Sequence, residues 1–324
     1  MSMENVQSKD NLEFTYSVCA VIFGADESLL KIHLHDGFSF QKRSLNPNVD
    51  NLNEVFDTSS IGLRREYESA RVDQESLDVI CAVKYKSYRR PIVNFRDSYY
   101  NDSDLDLVTL DNQIRVIRLI KECPLRFKKI AFHLSSERYY LNDETSSAVK
   151  KNEIVTIPEA VNTQTDLRFH FSEEEVERIN RALSEISFPL TDKLLNSCHG
   201  YYDLSYHTEK SISITLLITA LEILFLKKDA RNKKEKIAKR CAVFLYDRDE
   251  QIKNTYSAVK ELYKKRSNFV HEGKASAITE EDIILLRAFV RDALLKALSL
   301  SETKSQRIDR VKRLVIQHKE LFGE

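Results

Sequence analysis

The hydrophobic period of this chain changes once, near residue 170, and that change limits the available folds more than any single motif. Before it, Phe14, Tyr16, Val18, Ala20 and Ile22 recur every second residue, the period of a half-buried strand. Further strand-like pieces lie at 77–85, 91–95, 129–134 and 152–157, with polar, turn-rich runs at 46–53 and 101–107 between them. One amphipathic helix is expected at about 112–121. After the change, apolar residues recur every three or four positions. Ser172 followed by Glu175 has the spacing of a capping box and marks the first helix start. Further helices are expected at about 191–199, 211–227, 229–246, 249–272, from Thr279 onward, and at 304–322. The expected architecture is therefore α+β. A mixed, strand-rich N-terminal domain covers residues 1–165 and an all-α helical bundle covers 166–324, meeting in the polar stretch 160–168.

Composition narrows the classes of function. A length of 324 residues suits two domains, and 42% hydrophobic with 31% charged residues suits globular ones. Fifty basic residues balance fifty acidic ones, which excludes a globally basic nucleic-acid coat and leaves only local basic patches. Cys19, Cys81, Cys123, Cys198 and Cys241 are odd in number, scattered and free of CxxC spacing. They argue against a zinc ribbon or disulfide framework and predict a reducing, cytoplasmic setting. The N-terminus lacks the apolar core of a signal peptide. The most apolar stretch, 212–226, is shorter than the roughly 20 residues of a membrane span and is broken by Glu222. It reads as a buried helix of a protein with no membrane segment.

Several residues do not suit their surroundings. The helix at 249–272 carries an inward stripe of Ile252, Tyr256, Val259, Tyr263, Arg266 and Val270, so Arg266 takes a slot its neighbours give to apolar side chains. A guanidinium there needs an anion, because burying it unpaired costs several kcal/mol. His271 follows five residues later, before Gly273 at a predicted left-handed C-cap. The helix dipole favours imidazolium at that end. Together the two make an anion site that can also move a proton, with phosphate the obvious anion. Glu222 should be paired, most simply with Arg266 or Arg240, either as a buried ion pair fixing helix register or to aim Arg266. The run 227–240 sets Lys227, Lys228, Arg231, Lys233, Lys234, Lys236, Lys239 and Arg240 against Asp229 and Glu235. It is either a solvated helix face or a strip that tracks phosphates, which Lys264 and Lys265 would extend beside Arg266.

Other chemistries lack support. No GxxxxGK[ST] or GxGxxG loop is present. His33 and His35 form a strand-type pair with no third ligand, and Cys198-His199-Gly200 reads as helix-end packing. Asp102, Asp104 and Asp106 fall in an expected loop without calcium-loop spacing. No metal and no cofactor is expected.

Three segments carry a resemblance: TALEILFLKKD (219–229), KIAKRCAVFL (236–245) and LYKKRSNFVHEG (262–273). In order and spacing they resemble the Apea-like branch of the HEPN superfamily over about residues 170–300. That resemblance implies a metal-independent endoribonuclease, a hydrolase of anti-phage defence, abortive infection or toxin systems. It implies a helical bundle that works as a homodimer, with Arg and His of both protomers in one cleft and RNA as the substrate. A phage-derived trigger or a cognate antitoxin is a further implied partner. Arg266 and His271 match the two fixed positions of the motif. Ser267 stands where Asn, Asp or His is commoner, and Asn268 could replace it. The strand-rich half resembles only loosely the N-terminal regions that accompany such domains, and a sensing role there is the corresponding expectation. The rival reading is a catalytically silent dimerisation or RNA-binding scaffold.

Overall fold

The computed structural model describes residues 11–24, 26–44, 78–91, 95–123, 125–127, 129–141, 144–148, 152–156, 169–227, 230–300 and 302–323. The chain is α+β, with an antiparallel sheet in its N-terminal part and helices through its C-terminal part. It divides into two compact units. One holds the sheet, most of a first long helix and the helix at 173–185; the other holds residues 118–122 and everything from Ile186 onward. The first helix after the change of period thus groups with the sheet. The expected boundary at 160–168 lies outside the described residues.

The sheet of the first unit comprises β1 (Asn11–Ile22), β2 (Phe38–Ser44), β3 (Asp78–Pro91), β4 (Lys129–Leu141), β5 (Glu144–Ala148) and β6 (Asn152–Thr156). Its order is β2-β3-β1-β4-β5, with β6 also on β4 and every pairing antiparallel. The C-terminal end of β1 is covered on both faces, since Val18, Ala20 and Ile22 are buried and so are Cys19 and Val21. Helix α1 (Phe95–Ile120) corrects the sequence reading of a strand at 91–95 and a loop at 101–107. Pro91 closes β3, and Asp106 is a helical residue. Asp106 shares a buried stripe with Leu110, Gln113 and Ile117. It is tolerated there because Lys84 and Lys86 reach its carboxylate at 2.8 and 2.7 Å. Such distant partners leave no local pattern, so the acidic run resembled a turn.

His33 and His35 also depart from expectation, lying between a 3-10 turn (Glu27–Lys31) and β2 rather than in a strand. Asp36 and Gly37 at φ 55° and 82° reverse the chain before β2 begins. The backbone N–H groups of His33 and His35 donate to Asn180 Oδ1 and Gln113 Oε1 at 2.8 and 2.6 Å. β2 and β5 carry no signal long enough to be anticipated. Helix α2 (Glu173–Glu185) begins as expected: Ser172 N donates to Glu175 Oε2 at 2.9 Å and Glu175 N to Ser172 Oγ at 3.2 Å.

The second unit is built from α3 (Lys193–Leu204), α4 (Lys210–Phe225), α5 (Lys233–Leu245), α6 (Asp249–Glu272), α7 (Glu280–Leu300) and α8 (Lys304–Gln317). α4 is apolar nearly all round, so it can only be stable wrapped on every side. It touches α3, α5, α6, α7 and α8, and Leu217, Ile218, Leu221, Leu224 and Phe225 are fully buried. Among the described residues no helix is long and apolar enough to cross a membrane. Cys198 lies within α3 rather than at its end; its thiol bonds Ala220 O at 3.4 Å, and burial pushes its ionisation far upward.

The segment 118–122 inserts charge into this unit. Arg118 pairs with Asp203 at 2.8 Å, and Tyr202 Oη donates to the Arg118 carbonyl at 2.8 Å. Glu122 faces Arg287 at 3.6 Å and Arg291 at 4.0 Å. Burial nevertheless raises the Glu122 carboxyl to about 7. The arginines oppose the rise weakly because each has other acceptors: Arg287 donates to Ser205, and Arg291 lies 3.1 Å from Asp292. A raised carboxyl binds its proton more tightly in the folded state, so this stability is present below the ordinary value of 4.5 and is lost as pH rises through about 7. Glu122→Gln is expected to remove that loss. In thermal melts at pH 5 and pH 8 the variant should gain a few degrees on wild type at the higher pH only.

Candidate functional site

The described residues singled out by the sequence lie on α4, α5 and α6 and in the connection between α4 and α5. The buried stripe of α6 is Ile252, Thr255, Val259 and Leu262. It differs from the expected one: Tyr256 and Tyr263 are half-buried at its flank, and Val270 is exposed. The three-and-four spacing from Leu262 leads next to Arg266 and then to Phe269, which packs on the core. Arg266 therefore does occupy an apolar slot. It is partly buried, and its Nε is buried with no hydrogen-bond partner among the described residues. Its guanidinium carbon lies 5.9 Å from the centre of the Tyr263 ring, at the outer limit of a cation–π contact.

The expected pairing of Glu222 with Arg266 or Arg240 is not what the structure shows. Glu222 meets Lys233 Nζ at 3.4 Å and accepts from Tyr263 Oη at 3.4 Å. Burial, with Glu222 second, raises the Tyr263 phenol, while nearby Arg266 pulls it down. Arg240 turns inward and donates to the Phe225 carbonyl at 2.5 Å, capping the end of α4. Four other carboxylates of these helices hold lysines. Asp282 holds Lys265 at 2.7 Å, Glu235 holds Lys260 at 2.6 Å, Glu272 holds Lys274 at 2.5 Å and Glu261 faces Lys264 at 3.8 Å. Burial opposes ionisation of Asp282 and Glu235, yet their lysines hold both below the ordinary carboxylate range. Arg266 is left without an acid among the described residues.

His271 sits in the last turn of α6 and is exposed. Gly273 ends that helix at φ 68°, its N–H bonding Phe269 O at 2.9 Å, as the sequence predicts. Five residues separate Arg266 from His271, or about 140° around the helix axis and about 7.5 Å along it. One chain alone therefore presents them on different faces. Ser267 and Asn268 lie between, half-buried and without side-chain hydrogen bonds among the described residues.

The basic strip separates into two groups. Lys239 is buried with its amine 5.4 Å from the Phe322 ring; Arg240 and Lys265 are engaged as described, and Lys233 is partly held by Glu222. Lys227, Arg231 and Lys264 are exposed and Lys234 is half-buried, and these remain presented to solvent. Lys228 lies outside the described residues. Among the described residues, no group of His, Cys, Asp and Glu has the makings of a metal site. The roles of Tyr263 in holding Glu222 and of Asp282 in claiming Lys265 were missed by sequence reasoning. The Thr279–Asp282 capping spacing was visible, but its lysine partner was not.

No family model, curated protein or solved structure matches this chain.

The geometry makes a test of purpose. If Arg266 served only the fold, replacing it with an apolar side chain of similar length would break its contacts. Because it lacks an acid and leaves a buried donor unmet, Arg266→Met is expected to match or exceed wild type in thermal midpoint. A fall of several degrees in the melt would show that the guanidinium holds the bundle together.

Proposed function

We propose that the helical unit is a HEPN-type, metal-independent endoribonuclease acting as a homodimer on RNA. The observation that carries this reading is Arg266, a guanidinium in a slot otherwise apolar, with every carboxylate on the neighbouring helix faces described above given to another cation. A site that keeps a cation and withholds its counterion is prepared for an anion from outside. The motif resemblance around 219–273 adds the histidine and the class of reaction.

RNA holds its own nucleophile next to the phosphorus, so the reaction needs a proton acceptor and a cation but no metal. Arg266 would take two oxygens of the phosphorane-like transition state, and its planar fork suits them. His271 would accept the 2′-hydroxyl proton or return one to the departing 5′ oxygen. The angle between the two on α6 supports an arrangement across two protomers, one supplying Arg266 and the other His271. The Tyr263 ring flanks the guanidinium and is itself held by Glu222 through its hydroxyl, while Ser267 and Asn268 are polar enough to bond the phosphate. Lys227, Arg231, Lys234 and Lys264 would follow the backbone on either side.

His271→Ala is expected to abolish cleavage of total RNA in excess EDTA while leaving RNA binding within about threefold. Cleavage by wild type but not by the variant supports the nuclease. Binding without cleavage by either protein supports the silent scaffold. Lysine contacts have their own signature: each charge removed from Lys227, Arg231, Lys234 or Lys264 should lower the slope of log affinity against log salt by about 0.7. An unchanged slope would make that strip a solvated face.

A further inference from the structure

Two buried cysteines in the sheet have no part in the proposed reaction. Cys19 stands on β1 opposite Val83, and Cys81 stands on β3 opposite Val21. They are diagonal neighbours on one face of the central strand pair, near enough for each thiol to affect the other's ionisation. The neighbouring strand β2 brings Arg43, whose Nη1 lies 4.0 Å from Cys19 Sγ. This geometry polarises the pair. The neighbouring Cys81 lowers the ionisation of Cys19 against the opposing burial, Arg43 lowers it further, and Cys81 is pushed up. For Cys198 and Cys241 burial dominates, and both are pushed well up.

Access comes along the same arginine. Cys19 and Cys81 are 4% and 1% exposed, so bulky reagents are shut out. Arg43 is only half-buried, and its Nη2 bonds the hydroxyl of Tyr85, which is 62% exposed. Of the two sulfurs, Cys19 is the one that this half-buried side chain reaches and the more exposed.

We propose that Cys19 and Cys81 form a peroxide-oxidisable dithiol, with Cys19 the attacking sulfur, Cys81 the resolving one and Arg43 the residue that poises the first. The Cys19 thiolate attacks one oxygen of hydrogen peroxide, forming an S–O bond as the O–O bond breaks and hydroxide leaves. Sulfur is oxidised and peroxide reduced, and the hydroxide takes a proton from solvent. Cys81 then attacks the Cys19 sulfenic sulfur, and its proton leaves with the hydroxyl as water. The sum is two thiols and one peroxide giving one disulfide and two waters. Diagonal strand neighbours stand about 7–8 Å apart, beyond the usual disulfide span, so β1 and β3 must shift locally to close the bridge, which places it in the readily reduced class.

The test is a short exposure of the full-length protein to hydrogen peroxide, followed by alkylation and peptide mapping. A Cys19–Cys81 disulfide should form, be reversed by dithiothreitol, and leave Cys198 and Cys241 as free thiols. In Cys81→Ala, dimedone should label Cys19; in Cys19→Ser, Cys81 should stay reduced. Arg43→Gln should slow disulfide formation by about tenfold, a change that loosened packing would not produce because looser packing exposes the sulfurs. Circular dichroism of each variant confirms folding before the rates are compared. Wild type with both thiols intact, or oxidation spread equally over all five cysteines, overturns the proposal.

Discussion

A helix with no polar side organises the second unit. α4 places leucine and isoleucine around its circumference, and the only way to remove them from water is to surround it with α3, α5, α6, α7 and α8. Burial of this kind is worth about 1.5–3 kcal/mol per large side chain, so few polar groups can be spared for its surface. Glu222, near the C-terminal end of α4, is the exception. It is met there by a phenol from α6 and an ammonium from α5. The candidate site grows from that end of the helix.

The site is defined by what its charges leave over. Lysines are matched to carboxylates across α5, α6 and α7, and Arg240 is spent on a backbone carbonyl. Arg266 is partly buried, with a buried unmet Nε and no acid among the described residues; Arg307 on α8 shares the unmet Nε and lack of an acid, but it is fully buried and bonds the Glu302 carbonyl. The relation of Arg266 to His271 is set by helix geometry. Five residues turn the two onto different faces, so a reaction that needs both groups favours two chains over one.

Much of this was legible from period and spacing. The α4 run, the capping pairs at Ser172 and Thr279 and the glycine stop at Gly273 are local signals, and each appears where its residues say it should. Arg266 was recognised as out of place for the same reason. Partners distant in sequence could not be read. Asp106 looked like part of a turn because its lysines lie on β3, and Glu222 was matched with arginines when Lys233 and Tyr263 were closer at hand. The basic run shows the same limit. Its sequence displays one continuous stripe, and only packing tells which of its members face water.

In the proposed reaction Arg266 grips a phosphate whose own ribose supplies the attacking oxygen. The most direct measurement uses a short defined RNA beside a copy with every 2′-hydroxyl replaced by hydrogen, in EDTA, with product ends identified by mass. Wild type should cut only the RNA and leave 2′,3′-cyclic phosphate and 5′-hydroxyl ends, while Arg266→Ala leaves both strands whole. Cleavage of the deoxy copy, or cleavage by the arginine variant at the wild-type rate, would contradict it.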